Sequence, residues 1–341
     1  MSTPRRRPAF RIGDLDVAAG RSATGELPIA RLVTGTRISL PIQVLHGRAP
    51  GRTVWLSAAV HGDEINGVEI IRRVARSLDA RTMAGTVIAV PIVNVHGFLN
   101  GDRYLPDRRD LNRSFPGSPS GSLAARIANL FMTEIVSRCD VGIDLHTGSD
   151  HRTNLPHVRA DLDDPETRKL AEAFGAPVML HARVRDGSLR GAATERGATV
   201  LLYEGGEALR FDDEALSVGT DGIRRVLAEL GVIGPDHTDP RPVPIESRRS
   251  SWIRARRSGI VLLDAELGEV VQRGQLLGVI HDSVGKRLAR VTAPRVGVVV
   301  GRVQQPLVNQ GDALVNLAEI DTGMLPTLGR FVSTHPSEDH P

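Results

Sequence analysis

His61-Gly62-Asp63-Glu64 sets an imidazole and a carboxylate three residues apart. On a helical turn that spacing brings both to one face, and a zinc ion accepts both kinds of ligand. The continuous apolar run Val54 to Val60 precedes the motif, and Val68, Ile70, Ile71, Val74, Ala75 and Leu78 follow it. The run predicts a strand buried on both faces, and the later spacing predicts a helix. The motif thus falls where a strand ends and a helix begins, the place where open α/β sheets bind ligands. A catalytic zinc centre takes three protein ligands and keeps one open position. A third ligand is expected from another strand end, and His146, closing the apolar run Val141-Gly142-Ile143-Asp144-Leu145, supplies it. His96, after Val93-Asn94-Val95, is the runner-up. A single histidine after a strand is ordinarily a hydrogen-bonded polar residue, so the metal reading rests on His61, Glu64 and His146 together, one zinc ion per chain.

Two further segments carry chemistry. Leu201-Leu202-Tyr203-Glu204-Gly205-Gly206-Glu207 ends an apolar run with a carboxylate. Beside a zinc-bound water, Glu204 would serve as a general base; Glu207 is the alternative, and a plain surface glutamate is the competing explanation. Between Arg103 and Arg113 the chain places Arg103, Arg108, Arg109 and Arg113, with Asn112 before the last. Arginine grips carboxylates in a two-pronged fork and stabilises an oxyanion, although Asp102, Asp107 and Asp110 interleave with these residues and equally suit a solvated, salt-bridged loop. Other machinery is missing. Gly117-Ser118-Pro119-Ser120-Gly121 has proline where a nucleophile elbow needs serine. There is no H-E-x-x-H helix, P-loop or G-x-G-x-x-G. Cys139 reads as an inert buried thiol.

These residues need a scaffold of strands and helices. After Val54–Val60, strands are expected at Val87–Val93, Asp140–Leu145 and Thr199–Tyr203, and helices at Ala124–Val136, Pro165–Phe174 and Asp221–Leu230. Alternation of this kind predicts an α/β sheet with helices on both faces. The first 50 residues read as short strands, among them Arg31-Leu32-Val33 and Ile38–Val44. Residues 233–250 hold four prolines and no apolar period, as a linker would. Short strands follow over 251–322, from Trp252–Ala255 to Asp312–Ile320, and predict a small all-β sandwich or barrel. The stretch 323–341 reads as a loose tail. The expected division is therefore 1–232, an α/β domain with a β segment at 1–50, then the linker and the β domain.

Composition narrows the function. The chain has 341 residues, 43 Lys+Arg against 40 Asp+Glu and a formal charge of +3. That even balance lacks the clustered footprint of a nucleic-acid binder, and 3% aromatics offers no base-stacking surface. One cysteine excludes a disulfide framework. No apolar run reaches the ~18 residues of a membrane span, and nothing after Met1 resembles a secretory signal. A cytoplasmic protein with a small-molecule partner, no nucleic acid and no membrane is expected. Oligomeric state stays open, a homo-oligomer included.

With His-Gly-Asp-Glu after a strand, Asp110-Leu111-Asn112-Arg113-Ser114-Phe115-Pro116-Gly117, Asp144-Leu145-His146-Thr147-Gly148 and the later strand-end Glu204 in this order, the sequence resembles the succinylglutamate desuccinylase/aspartoacylase family, within the wider zinc carboxypeptidase fold group. The resemblance covers roughly residues 50 to 230. It implies a zinc-carboxypeptidase-like mixed sheet, with His61, Glu64 and His146 as zinc ligands and Glu204 as the residue that activates water. It implies that Arg103 polarises the scissile carbonyl, with Arg109 as rival, and that Asn112 and Arg113 hold the substrate carboxylate. Asp144 would orient His146. Arg152, Asn154, Leu155, Pro156 and Arg159 are further candidates for the pocket wall. The activity implied is amide hydrolysis of a small N-acyl amino acid or related N-acyl amine. The alternatives are a carboxypeptidase-like enzyme for a peptide or γ-linked amide, and a non-enzymatic binding module working through its β domain. Lys286 lacks the hairpin context of a biotinyl or lipoyl carrier, which weighs against the last.

Overall fold

A computed structural model describes residues 7–31, 33–183, 186–235 and 243–320. Leu32, residues 236–242 of the proline-rich connector and 321–341, with the expected tail, lie outside the described residues.

Four parallel strands form the centre of a mixed sheet: Thr199–Glu207, Val141–Gly148, Ala49–Ala58 and Ala84–Val90, side by side in that order. Antiparallel strands extend it in both directions. Arg37–His46 and Arg21–Arg31 flank Ala84–Val90, and Arg152–Ala160 flanks Thr199–Glu207. The central strands are buried on both faces because side chains alternate along a strand. Val54, Leu56 and Ala58 enter one core, whereas Trp55 between them enters the other.

Helices cover each face. Asn66–Ser77, Pro165–Phe174 and Asp213–Glu229 seal the first core through Ile70, Val74, Phe174 and Ile223. Leu123–Glu134 and Leu189–Glu195 seal the second, with Phe131 and Leu189. Their ends follow local chemistry. Asp164 caps Pro165–Phe174 by accepting the Thr167 amide at 2.7 Å, and Gly175 ends it in the left-handed region. Asp212 caps the last long helix through the Ala215 amide at 2.8 Å, so this helix begins at Asp213, well before the expected Asp221. Gly219 helped hide that first half from the sequence pattern. The expected strands recur with shifted ends. The strands Arg152–Ala160 and Val178–His181 were not anticipated; in the first, polar side chains mask the period.

The C-terminal strands form their own core, with Val271, Leu277, Ile280 and Leu314. They also join the main sheet. Gly297–Val303 pairs with Arg152–Ala160 in the register Gly301 to Asn154, and Ala313–Glu319 and Ser250–Arg254 continue outward. A second, four-stranded sheet packs beside them. Within the expected linker, Ile245–Ser247 forms a strand parallel to Val178–Leu180. Backbone pairing thus links the two regions as well as the chain. Among the described residues, no helix is long and apolar enough to cross a membrane.

Gly142 lets the two central strands close. A Cβ built there would lie 1.9 Å from the Trp55 ring, and Trp55 is fully buried. Gly142→Ala should destabilise the fold by about 1–3 kcal/mol, read as a lower Tm. An unchanged Tm would show that this contact yields without cost.

Candidate metal and hydrolytic site

The turn that carries the site departs from the strand in a strained geometry. Ala59 has φ +47°, a left-handed conformation disfavoured for a residue with a side chain. Its carbonyl accepts the Asn94 amide at 2.8 Å, which holds the turn in place. Next comes His61-Gly62, where the Val95–Asn100 helix crosses. A Cβ on Gly62 would sit 2.0 Å from the Gly97 carbonyl carbon, so only glycine admits that crossing. Asn66 then ties the helix start to the neighbouring strand end. Its amide nitrogen donates to the Gly205 carbonyl at 3.2 Å, and its oxygen accepts the Asp212 amide at 3.1 Å.

His61, Glu64 and His146 converge there, all buried, with one ligand atom from each lying within 4.8 Å of the others. The Glu64 carboxylate lies between the two imidazoles. Oε1 is 2.8 Å from His61 Nδ1 and Oε2 is 2.7 Å from His146 Nδ1. The outer ring nitrogens also have carboxylate partners. His146 Nε2 is 2.8 Å from Asp144, which in turn accepts the Ser57 hydroxyl at 2.7 Å. His61 Nε2 is 3.2 Å from Asp110. A carboxylate on Nε2 fixes the proton there and leaves Nδ1 as the donor atom for a metal. The donor set therefore fits a divalent ion: two imidazole nitrogens and a carboxylate, buried, each histidine braced from behind.

Electrostatics agree with this tight packing. Burial alone would raise the Glu64 carboxyl, but His61 and His146 outweigh it and hold Glu64 far below the usual carboxylate range. Burial pulls both imidazoles down, yet Asp144 and Glu64 lift His146 well above its ordinary value, and Glu64 and Asp110 raise His61. Glu204 behaves oppositely. Burial pushes its carboxyl up, only partly offset by His146 and Arg159. A carboxyl raised in this way takes up a proton more readily than an ordinary glutamate, which suits a group that must accept and return one.

Most of the expected residues meet in one cavity of about 150 Å³. His61, Glu64, His146, Glu204, Arg103, Asn112 and Arg113 all line it. Glu204 stands opposite His146 in the parallel register, which brings the two to the same face. Arg103 reaches inward, 3.1 Å from Glu64 Oε1 and 2.9 Å from the Ser149 hydroxyl. Asn112 accepts the Leu189 amide at 2.9 Å through Oδ1, which turns its amide nitrogen to the open side.

Other candidates go elsewhere. Arg109 does not reach the cavity; its side chain is exposed and pairs with Asp107 at 3.3 Å. The loop reverses at Arg108, which has φ +63°, so Arg103 and Arg109 leave it in different directions. Glu207 lines an outer cavity and pairs with Arg210 at 2.8 Å. His96 sits on the short Val95–Asn100 helix, outside the His-Glu-His cluster. Of the pocket-wall candidates, Arg159 lines the cavity and Asn154 donates to Glu204 Oε2 at 3.0 Å. Arg152 stacks over Trp252 instead.

Sequence reasoning missed Asp110 as the partner of His61, and Ser57 behind Asp144. It also missed Arg183 and Arg190 in the cavity wall. Asp110 had a signal, since it opens the Asp-Leu-Asn-Arg motif; the two arginines had none.

The fold and the cluster together define a mixed α/β protein with a candidate metal centre at its strand ends. A model of the succinylglutamate desuccinylase/aspartoacylase catalytic domain matches residues 50–230. The N-alpha-acetyl-L-2,4-diaminobutyric acid deacetylase of Halomonas elongata is 30% identical over 296 residues, covering 83% of this chain and 86% of that protein. A succinylglutamate desuccinylase of Burkholderia orbicola is 30% identical over 186 residues, 48% of this chain and 53% of its own length. The crystal structure of a succinylglutamate desuccinylase/aspartoacylase from Rhodobacter sphaeroides superposes with TM-score 0.79 at 29% identity, over 92% of this chain and 100% of that one. The product-bound structure of an ectoine utilization protein from Ruegeria pomeroyi shares the fold, with TM-score 0.81 at 24% identity over 94% and 100%. This chain belongs to the succinylglutamate desuccinylase/aspartoacylase family.

Removing the carboxylates behind the imidazoles should weaken metal binding without emptying the ligand set. Asp144→Asn and Asp110→Asn are each expected to lower zinc affinity about 10- to 100-fold in a competition titration. Wild-type affinity in both variants would show that the ligands need no bracing.

Proposed function

We propose that this protein is a zinc-dependent deacylase that hydrolyses the amide bond of a small N-acyl amino acid or related N-acyl amine. The observation that carries the reading is the single cavity shared by His61, Glu64, His146, Glu204, Arg103, Asn112 and Arg113. The relatives named for deacetylase and desuccinylase activities support it. A cytoplasmic setting goes with it, supported by the small-molecule metabolism for which those relatives are named.

His61, Glu64 and His146 would hold the zinc ion, which when bound supplies Lewis acidity and makes water a stronger acid. Glu204 accepts the proton of the attacking water. Asn154 occupies Oε2 of Glu204, so Oε1 is the oxygen free for that transfer. The same oxygen then returns the proton to the leaving amine as the C–N bond breaks. The products are a carboxylate and an amine. Arg103 presents its guanidinium to the developing oxyanion. Asn112 and Arg113 receive the substrate carboxylate, the amide donating from one side and the guanidinium from the other. The carboxypeptidase-like alternative draws support from the outer cavity of about 1020 Å³, which meets the inner one at Arg103.

Two experiments test this reading. With zinc-loaded protein and N-acetyl and N-succinyl amino acids, amine release is expected, and Glu204→Gln should reduce kcat by about 100-fold or more while zinc content stays near one ion per chain. Turnover of small peptides alone would favour the carboxypeptidase-like alternative. For pH, Glu204 must be ionised to act, and burial raises its carboxyl. The acid limb of kcat/KM should therefore lie above the ordinary glutamate range, with activity falling as pH drops through it. Asn154→Ala should lower kcat and move that limb, and an unmoved limb would show that another group sets it.

A further inference from the structure

We infer that the C-terminal strands hold a second binding site, for a small organic phosphate, apart from the hydrolytic cavity. Ser250–Arg254 is the outermost strand of the main sheet, and Arg287–Thr292 is an outermost strand of the four-stranded sheet. A cavity of about 290 Å³ opens between these two edges. Arg254, Arg256, Arg290 and Arg295 line it, and among the described residues no carboxylate does. It shares no lining residue with either of the cavities at Arg103.

Edge strands carry charged residues that block pairing with another chain, but either sign serves that end. Here one sign is concentrated. Over 243–320 the chain has 11 Arg or Lys against 7 Asp or Glu, an excess larger than the net +3 of the whole protein. The nearby carboxylates are mostly engaged elsewhere. Glu246 pairs with Arg168 and Arg248, and Asp312 accepts the Asn309 amide at 2.7 Å. Glu319 reaches the group, 2.8 Å from Arg295. Arg254 donates to the Gly311 carbonyl at 2.8 Å. The guanidinium groups of Arg256 and Arg290 meet neither a carboxylate nor a carbonyl among the described residues. Four like charges around one cleft, with a single counter-charge, repel one another. A phosphoryl group supplies the missing negative charge and the acceptor oxygens that guanidinium forks grip.

The cavity has a second half. Arg254, Arg256 and Arg290 are exposed, whereas Ile280 and Val291 beneath them are buried. Trp252 lines the same cavity, and the Arg152 guanidinium lies 5.3 Å over its ring. A basic rim over an apolar, aromatic floor suits a ligand of two parts, phosphoryl oxygens at the rim and a flat body against Trp252. A cavity of this size takes one small molecule, whereas a nucleic-acid strand needs a basic surface that spans several phosphates.

Three probes separate the two parts: adenosine monophosphate carries both, inorganic phosphate only the charge, and adenosine only the flat body. The chain has two tryptophans, and Trp55 is fully buried, so an emission change on ligand addition reports on Trp252. With zinc-loaded full-length protein at constant ionic strength, adenosine monophosphate is expected to change the emission saturably. It should bind at least about tenfold more tightly than adenosine and be displaced by inorganic phosphate. Arg256→Gln/Arg290→Gln should weaken it about tenfold or more at unchanged Tm. If that double variant has a lowered Tm, the single variants decide, each with an expected loss of about threefold. No saturable binding by the wild type overturns the proposal, and so does adenosine binding as tightly as its phosphate. Affinity undiminished by the arginine substitutions would place the anion among the inner arginines and also overturn it, as would an emission change that persists in Trp252→Phe. Because the two sites share no wall, each of these failures leaves the deacylase reading standing.

Discussion

A single buried carboxylate organises this protein. Glu64 is almost wholly buried and has each oxygen against a different imidazole. A charge in that position is tolerated only when its partners are exact in placement. His61 comes from the same turn, but His146 comes from the end of a different strand, 82 residues away in sequence. The registry of Ala49–Ala58 with Val141–Gly148 must therefore be correct before Glu64 can be satisfied. Gly142 serves that registry by yielding space to Trp55.

Behind the three central groups stands a second layer that the fold supplies from both sides. Ser57 supports Asp144, and Asp144 supports His146. Asp110 supports His61 while its own backbone neighbour, the Asn112 amide, donates to it at 2.8 Å. The loop that bears Asn112 and Arg113, the pair proposed to receive the substrate carboxylate, is thus the same loop that braces His61. A shift of that loop would move Asn112, Arg113 and the support of His61 together.

The C-terminal strands enter this arrangement through one residue. Asn154 holds Glu204 and pairs across the sheet with Gly301, where a Cβ would lie 2.8 Å from the Asn154 side-chain oxygen. The β region is thereby in contact with Arg152–Ala160, and it packs against the asparagine that holds Glu204, the proposed base. This gives the extra strands a structural relation to the chemistry that a separate appended module would not have.

Local pattern sufficed for the central strands, because strands buried on both faces read as unbroken apolar runs. It also singled out His61, Glu64, His146 and Glu204, which the structure brings to one cavity, because they lie at or just past the ends of such runs, where side chains emerge from the sheet edge. It did not suffice for Arg152–Ala160, whose His157 and Arg159 turn to the polar face while Val158 and Ala160 enter the core. Nor could it choose between Arg103 and Arg109. Both lie in one loop of alternating charge, and only the reversal at Arg108 sends one guanidinium to Glu64 and the other to solvent. The same holds for Arg159, Arg183 and Arg190, which reach one wall from separate elements. Chain order records what a residue can do and where an element ends. Which distant groups share a buried charge depends on strand registry and loop direction, and those are set by packing across the whole sheet.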